Sequence, residues 1–359
     1  MIEPGAAAHV EEPAPEGALL EVRNLKTIFR TEGGVLTAVD DVSFDVASRE
    51  IFAIVGESGS GKTVTALSIL GLVPEPAGKI VGGEILYRGE NLLKVDKERL
   101  RQIRGDRIAM IFQDPLTALN PVHRIGSQIA EVYLAHRNVS KDEAWARAVQ
   151  LLERVGIPQP ARRAGDYPHQ FSGGMRQRAM IAMALALDPD LLIADEPTTA
   201  LDVTIQAQIL DVLRTIREEF NTAIMMITHD LGVVAEVADR VMVMYAGRKV
   251  EESDVVTLYD DPKMPYTWGL LGSTTRPDRP RRERLIQIPG APPSLISPPH
   301  GCRFSPRCVY AQPVCHEQEP ALLDVTYLHE ARCHFALEDG WKPGVPVEVA
   351  ARAAEGMAS

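Results

Sequence analysis

The segment GESGSGKT, from Gly56 to Thr63, places the strongest constraint on how this chain folds. An apolar run, EIFAIV, precedes it, and an amphipathic stretch, KTVTALSILGLV, follows it. The pattern G-x-x-x-x-G-K-[ST] between a buried strand and a helix is typical of a loop whose backbone N–H groups wrap a phosphate chain. Glycines allow such a loop to turn tightly around its ligand. The segment therefore predicts a nucleotide-binding P-loop rather than a glycine-rich turn without function.

Two side chains of this loop have chemistry suited to a nucleotide. Lys62 is expected to reach the β- and γ-phosphates, and the hydroxyl of Thr63 is expected to bind Mg²⁺. The candidate nucleotide-binding residues of the loop are Gly56, Glu57, Ser58, Gly59, Ser60, Gly61, Lys62, Thr63 and Val64.

Further apolar runs predict an α/β fold with a parallel sheet. RIAMIFQD, LLIADEPT and AIMMITHD each end in acidic or polar residues and alternate with helical patterns. Ligands bind beyond the carboxyl ends of such strands, so these polar residues are expected near the P-loop. From about residue 120 to residue 186 the pattern becomes helical, and we predict a mainly helical insertion there.

The net charge and the distribution of apolar residues indicate where the chain is located and which kinds of partner it can bind. The formal net charge of −11 argues against a general nucleic-acid binder. The first 18 residues are acidic and rich in proline and alanine, which predicts a disordered leader rather than a signal peptide. No apolar run approaches the roughly 20 residues that span a bilayer. We therefore expect a cytoplasmic chain that reaches a membrane only through a partner.

Two adjacent carboxylates follow the apolar run LLIA. Asp195 suits Mg²⁺ coordination, and Glu196 is free to act as general base on an attacking water. An acidic strand end without function is the alternative when such a pair stands alone. Downstream of a P-loop, the pair favours a catalytic role.

The segment FSGGMRQR lies ahead of that strand. Ser172, Gly173 and Gly174 begin a helix, so their N–H groups and the helix dipole form a second candidate anion site. A simple helix N-cap is the alternative. Because one subunit already has one phosphate-binding loop, a second site makes sense if it faces the nucleotide of another subunit.

Together these motifs resemble those of ATP-binding-cassette (ABC) ATPases. The order is a Walker A loop, a Q-loop glutamine (Gln113), the signature, a Walker B strand, a D-loop that ends at Asp202, and a switch histidine (His229). The signature reads FSGGM where the general family has LSGGQ, but the serine and glycines are retained. The resemblance implies an α/β fold with a RecA-like parallel core, an antiparallel β subdomain and a helical subdomain.

The same resemblance implies roles for further residues. Two cassettes would meet head to tail, with ATP on the P-loop of one covered by Ser172–Gly174 and the D-loop of the other. Gln113 would sense Mg²⁺ and the attacking water, and His229 would hold that water against Glu196. Phe29 lies where the family places an adenine-stacking aromatic, although ordinary core packing is a serious alternative.

A closer resemblance extends to the rest of the chain. QDPLTALNP, YPHQFSGGMRQR, PYTWGLL, IPGAPPSL and GCRFSPRC are similar to segments of the oligopeptide/dipeptide/nickel permease ATPases. This implies a peripheral subunit on the cytoplasmic face of the inner membrane that energises peptide import. Its implied partners are two transmembrane permease subunits, a second cassette ATPase (a paralogue rather than a second copy) and, indirectly, an extracytoplasmic substrate-binding protein.

Three other functions stay open at this point. The same machinery could import nickel or another small solute. A soluble cassette ATPase that acts on ribosomes or DNA is less favoured, because such proteins usually carry two cassettes or a long coiled-coil insertion. A nucleotide switch is also less favoured, because a switch could dispense with Glu196.

The expected organisation has four parts. A leader (1–18) precedes the cassette (19–261), which contains the helical subdomain at about 120–186. A small C-terminal domain with the cysteines (262–340) follows, and a tail (341–359) ends the chain.

All four cysteines of the chain lie in that C-terminal domain, with the spacing C-x₅-C-x₆-C-x₁₇-C. Disulfides are disfavoured in a reducing cytoplasm, so a shared metal is the economical interpretation. Structural zinc sites usually contain a tight C-x₂₋₄-C pair, which is absent here, whereas four cysteines also hold [4Fe–4S] clusters. The resembled permease ATPases include members with such a cluster at these positions. We therefore predict a [4Fe–4S] cluster, with zinc or an empty site as the alternatives, on Cys302, Cys308, Cys315 and Cys333.

Overall fold

The computed structural model describes residues 17–199, 202–273 and 288–338, together with Trp341 and Pro343. Almost all of the predicted leader and of the predicted tail lies outside these residues, as do Ala200 and Leu201 of the D-loop. No helix within the described ranges has the length and apolar character needed to cross a membrane.

Strands and helices alternate through most of the chain. The strands are β1 (Leu20–Thr31), β2 (Gly34–Val46), β3 (Ile51–Val55), β4 (Gly78–Tyr87), β5 (Glu90–Asn91), β6 (Ile108–Ile111), β7 (Leu191–Asp195), β8 (Ala223–Thr228), β9 (Arg240–Tyr245), β10 (Arg248–Asp254), β11 (Leu323–Thr326) and β12 (His329–Ala331). The α-helices are α1 (Lys62–Ile69), α2 (Lys97–Ile103), α3 (Pro115–Ala118), α4 (Ile125–His136), α5 (Lys141–Arg154), α6 (Pro160–Arg163), α7 (Gly173–Ala184), α8 (Val203–Phe220), α9 (Leu231–Val237), α10 (Val255–Asp260), α11 (Pro265–Ser273) and α12 (Pro313–Glu317). Short 3₁₀ turns span Pro168–Gln170 and Ser305–Arg307.

An eight-stranded mixed sheet forms the centre, in the order β11-β12-β10-β9-β3-β8-β7-β6. The pairs that join β9, β3, β8, β7 and β6 are parallel, as the apolar runs predict. Every residue of β3, β7 and β8 is buried, because helices or a second sheet cover both faces. This arrangement brings the carboxyl ends of β3, β6, β7 and β8 to one edge.

A four-stranded antiparallel sheet, in the order β2-β1-β4-β5, packs on one face of the central sheet. Phe44 of β2 stacks on Phe52 of β3, with ring centroids 5.3 Å apart. Phe52 and Ile54 point into this core, whereas Ile51, Ala53 and Val55 point into the larger core on the opposite face. The α/β fold with an antiparallel subdomain is therefore confirmed.

The predicted helical insertion contains α4 to α7. A capping box starts α5: Ser140 Oγ accepts a hydrogen bond from Glu143 N, and the Glu143 carboxylate accepts one from Ser140 N. The buried face of α5 packs with α4 and α7 over the larger core. These helices stand next to the loop that carries Gln113.

The C-terminal segment continues the cassette rather than standing apart from it. Strand β12 pairs with β10 through Glu251 and Glu252, so it extends the central sheet at its edge. Phe304 and Phe335 join the larger core of the cassette. The sequence suggests that this segment has too few apolar residues to form a core of its own. In the structure, its apolar side chains pack into the larger core of the cassette.

Candidate active site and cysteine cavity

The P-loop connects β3 to α1 in a backbone shape that requires glycine. Gly56, Gly59 and Gly61 have φ values of 154°, 78° and 105°. A Cβ on Gly56 would lie 2.2 Å from the carbonyl oxygen of Met244, and one on Gly61 would lie 2.4 Å from that of Ala38. Strands β9 and β2, which carry Met244 and Ala38, therefore leave no room for a side chain at Gly56 and Gly61.

Lys62 is buried at the start of α1, and its ammonium group points back into the loop. It donates hydrogen bonds to the carbonyl oxygens of Gly56, at 2.7 Å, and Glu57, at 3.0 Å. Burial lowers the pKa of Lys62, against the opposing charges of Glu196 and Asp195. Within the part of the chain that the structure describes, the buried Ser60 Oγ has no hydrogen-bond partner.

Asp195 ends β7 directly beside α1. The Thr63 hydroxyl donates to Asp195 Oδ1 at 3.2 Å, so two of the three oxygen ligands predicted for Mg²⁺ are adjacent. Burial raises the pKa of Asp195, and the charge of Glu196 acts in the same direction. A cation at this place would offset the cost of keeping this carboxylate ionised.

Three loops, which follow β6, β7 and β8, meet at Glu196. Its carboxylate accepts hydrogen bonds from Gln113 Nε2 at 3.0 Å and from Thr199 Oγ1 at 2.8 Å, and it lies 3.3 Å from His229 Nδ1. Its φ of 48° is left-handed, a conformation that costs a non-glycine residue energy and often marks a functional site. A backbone hydrogen bond from Glu196 N to Ile227 O, at 2.8 Å, holds the residue in that conformation.

The signature segment, Ser172–Met175, forms the exposed N-terminus of α7. Ser172 caps the helix, and its Oγ accepts a hydrogen bond from Met175 N at 3.3 Å. Ser172 and Gly173 are exposed, and a Cβ on Gly173 would meet no atom of the described residues within 4 Å. On Gly174 a Cβ would lie 2.8 Å from Ile205 of α8. The helix start is thus open to solvent on the side of Gly173.

The remaining predicted nucleotide ligands are placed as follows. Asp202 caps α8 and accepts a hydrogen bond from Ile205 N at 2.9 Å. Ser58 and Gly59 are exposed at the tip of the P-loop, and Val64 packs against the smaller core. Phe29 is half-buried on β1 and contacts Gly78 of β4. Its ring is therefore partly engaged in packing between strands.

All four cysteines are free and line one small cavity of about 20 Å³. Phe304, Tyr310 and Phe335 contribute to the same wall. Burial raises the pKa of the Cys308 and Cys333 thiols to about 12 and raises that of Cys302 as well. Across the described residues, no group of three or more His, Cys, Asp or Glu side chains is arranged to hold a metal ion.

Two features of the site have no counterpart in the sequence analysis. Thr199 is a hydrogen-bond partner of Glu196, and the only sequence signal for it is its place in the EPTTALD segment. Glu57 of the P-loop forms an ion pair with Arg307, which lies next to Cys308. Nothing in the local sequence of either residue predicts this pair.

The fold, the P-loop and the cluster around Glu196 define an ABC-type ATPase. Comparison with protein families agrees with this class: the family described as ABC transporter matches residues 39–199. A second family, described as oligopeptide/dipeptide transporter, C-terminal region, matches residues 250–315. The chain belongs to the family of ATP-binding subunits of ABC transporters, in its oligopeptide/dipeptide group.

Similar proteins cover almost the whole chain. It is 54% identical over 315 residues to the "Probable peptide ABC transporter ATP-binding protein y4tR" of Sinorhizobium fredii, covering 88% of this chain and 94% of that protein. It is 50% identical over 334 residues to the "Oligopeptide transport ATP-binding protein OppD" of Bacillus subtilis, covering 93% of each.

Solved structures match the cassette. One is a dimeric ATP-binding cassette in a post-hydrolysis state bound to ADP and phosphate, with a TM-score of 0.60 and 27% identity over 66% of this chain and 98% of that one. Another is cbiO1 from Clostridium perfringens, part of an ABC transporter complex, with a TM-score of 0.58 and 26% identity over 68% of this chain and 91% of that one.

Proposed function

We propose that this chain hydrolyses ATP to drive the import of peptides through a membrane complex. The observation that carries the hydrolysis step is the Glu196 carboxylate, which stands at the end of β7 beside the P-loop and touches Gln113, Thr199 and His229. The peptide substrate is supported by the names of the relatives and by the match of the C-terminal region.

The residues around the P-loop have distinct parts in this reaction. Backbone N–H groups of the P-loop and the Lys62 ammonium bind the phosphates of ATP. Thr63, Gln113 and Asp195 supply oxygen ligands for Mg²⁺, which when bound neutralises phosphate charge. The proximity of Thr63 Oγ1 and Asp195 Oδ1 fits this assignment, as does the buried Ser60 hydroxyl, which has no hydrogen-bond partner among the described residues.

Glu196 acts as the general base on the attacking water. His229 and Gln113 hold the carboxylate from two sides and orient the water toward the γ-phosphate. Lys62 has to leave the carbonyl groups of Gly56 and Glu57 to bind phosphate, and ATP compensates the lost hydrogen bonds.

A second cassette completes the site. The open helix start at Ser172–Gly174, together with Asp202 and the 83% exposed Val203, suits contact with the nucleotide of a partner cassette. The resemblance to oligopeptide permease ATPases favours a paralogue over a second copy of this chain.

The membrane subunits dock beside Gln113. An apolar groove between the central sheet and the helical insertion is lined by Leu72, Phe112, Val132 and Met183, among others. Leu116 and Val122, in the loop after Gln113, are 60% and 74% exposed. Contact with two permease subunits would cover these side chains and would place the chain on the cytoplasmic face of the membrane. An extracytoplasmic binding protein would then deliver the peptide.

The cysteine cavity holds a [4Fe–4S] cluster on Cys302, Cys308, Cys315 and Cys333. Support comes from the four free thiols that line one apolar cavity. Bound iron would favour the thiolate over the thiol, whose pKa burial raises, so metal loading releases protons. The alternatives are a bound zinc ion or an empty site.

The test of this function uses the complex purified from membranes. Co-purification of two membrane subunits and a paralogous cassette, with ATPase activity stimulated by peptide and the binding protein, is the expected result. Stimulation by nickel or another small solute but not by peptide would refute the peptide assignment. Purification of the active chain on ribosomes or DNA would refute the transport assignment.

The cluster is tested on protein purified without oxygen. The expected result is brown protein with broad absorbance near 400 nm and with iron and sulfide in equal amounts, about four of each per chain. Colourless protein that contains one zinc per chain would show that the cavity holds zinc instead.

A further inference from the structure

The geometry points to Arg307 as a positioning residue of the ATP site, which holds Glu57 and thereby keeps the P-loop in the shape that binds ATP. The residue stands outside every ATP motif and 250 positions after Glu57. It connects the cysteine segment, residues 301–333, to the nucleotide site.

The contact between the two side chains is bidentate and mostly enclosed. Arg307 Nη1 lies 2.6 Å from Glu57 Oε2, and Nη2 lies 2.9 Å from Oε1. Nη1 also donates to the Tyr245 hydroxyl at 3.2 Å, and Nε donates to Pro289 O at 2.8 Å. Arg307 is 7% exposed. A planar guanidinium with donors engaged on three sides has little freedom, so it fixes the carboxylate it binds.

Glu57 in turn fixes the backbone on which Lys62 rests. Its N–H donates to the Tyr266 hydroxyl at 2.8 Å, and its carbonyl accepts hydrogen bonds from Lys62 Nζ at 3.0 Å and from Ser60 N at 3.2 Å. A displacement of Glu57 would therefore move the residue that reaches the phosphates. Because the hydrogen-bond partners of the Glu196 carboxylate are Gln113, Thr199 and His229 and not Glu57, we expect displacement of Glu57 to change ATP affinity more than turnover.

The position of Arg307 depends on the order of the cysteine segment. Arg307 ends the 3₁₀ turn Ser305–Arg307, and Cys308 follows it directly. Phe304, at the other side of the turn, packs on Tyr245 and Tyr266 with centroids 5.3 Å and 5.4 Å away, and it lines the cysteine cavity. The 3₁₀ turn therefore packs between the cysteine cavity and the P-loop. Disorder in the cysteine segment would break the ion pair that holds the Glu57 carboxylate in place.

A second set of hydrogen bonds also links the cysteine segment to the P-loop. Arg303, next to Cys302, donates to Ala246 O at 2.6 Å, and Gly247 N donates to Ser60 O at 2.9 Å. The segment therefore contacts the P-loop directly at Glu57 and, through one turn, at Ser60.

The experiment measures ATP binding to the full chain and the KM and kcat of the purified complex. Arg307→Ala is expected to weaken ATP binding about tenfold, which corresponds to about 1.4 kcal/mol, and to raise KM with a much smaller change in kcat. Arg307→Lys keeps the positive charge but cannot form the bidentate contact with Glu57. Its affinity for ATP should therefore lie between those of Arg307→Ala and the wild type.

Arg332→Ala is the matched control. Arg332 lies in the same segment and donates to the carbonyl oxygens of Lys249 and Pro320, away from the P-loop. Its loss should lower Tm as much as the Arg307 substitution does while leaving ATP affinity unchanged. An equal loss of affinity in both variants would show general destabilisation and would overturn the inference.

Glu57→Gln gives a second route that leaves the cysteine segment intact. It should weaken ATP binding as Arg307→Ala does, and the double variant should be no weaker than either single one. Additive effects, or wild-type affinity in Arg307→Ala, would overturn the inference.

If Arg307→Ala does not fold, Glu57→Gln and Arg307→Lys provide the test by themselves. Wild-type ATP affinity in both of these variants would overturn the inference. The inference rests on the proposed ATP binding, so a wild-type chain that binds no ATP would refute that function first, whereas normal wild-type binding isolates the role of Arg307.

Discussion

Asp40 joins three parts of the molecule, and its replacement by asparagine is the sharpest test of how they are held together. The residue lies on β2, and its side chain is 8% exposed. Its carboxylate pairs with Lys26 Nζ at 2.8 Å, with Arg248 Nη2 at 2.9 Å and with Arg303 Nη2. Asp40→Asn keeps the shape and removes the charge that these three cations share.

The expected cost follows from the burial of each partner. Removing one member of a buried ion pair costs about 3–5 kcal/mol, because the remaining charge is left uncompensated. Arg303 keeps its bond to Ala246 O and Arg248 keeps Glu319 at 3.1 Å, so we expect the lower end, about 3 kcal/mol. Lys26 is 47% exposed and adds less than about 1 kcal/mol. At about 2.1 cal/mol/K per residue over 359 residues, this corresponds to a decrease in Tm of about 4 °C.

The cost should depend on pH in a defined direction. Burial opposes ionisation of Asp40, but hydrogen bonds from Lys26, Arg248 and Arg303 hold its pKa well below the usual range. A depressed pKa in the folded state gives stabilisation that is fully present above the unfolded value of 3.8 and is lost as the pH falls below it. The difference in free energy of unfolding between wild type and Asp40→Asn should therefore be constant from pH 7 to about pH 5 and decrease toward pH 3.

Thermal and denaturant unfolding of the full chain at each pH provide the measurement. Asp41→Asn is the control, because it makes the same chemical change at the next residue, which is exposed. That variant should stay within about 0.5 kcal/mol of wild type. An Asp40→Asn variant as stable as this control, or a difference that grows as the pH falls, would refute the reasoning.

Three further predictions concern the two sites. Glu196→Gln should retain ATP binding and lower phosphate release by the complex about 10²–10⁴-fold, and near wild-type turnover would contradict its role as base. Gly61→Ala should abolish ATP binding in a nucleotide-binding assay, because its Cβ would lie 2.4 Å from Ala38 O. Gly59→Ala, whose Cβ would have no atom of the described residues within 4 Å, should weaken binding far less, and equal effects of the two substitutions would argue against steric conflict. Cys308→Ser should remove iron and the absorbance near 400 nm from anaerobically purified protein, and full iron content in this variant would exclude Cys308 as a ligand.

The sequence alone determined the features that are encoded within a few residues of each other. The glycine spacing of the P-loop sets a backbone path, the buried runs at β3, β7 and β8 require a sheet covered on both faces, and Ser172 before two glycines starts a helix. Each of these signals acts through local backbone preference or local burial, so the order of the motifs was enough to predict the α/β fold and the polar edge of its sheet.

The tertiary structure decided which side chains meet. Gln113 reaches Glu196 across 83 positions, and Arg307 reaches Glu57 across 250, because strand register and the sharing of one core bring their loops together. The C-terminal segment joins the cassette through the pairing of β12 with β10, which no local pattern announces. Such contacts depend on where several elements pack at once, whereas sequence patterns report only the preferences of each element. The link between the cysteine segment and the P-loop therefore became visible only in the folded chain.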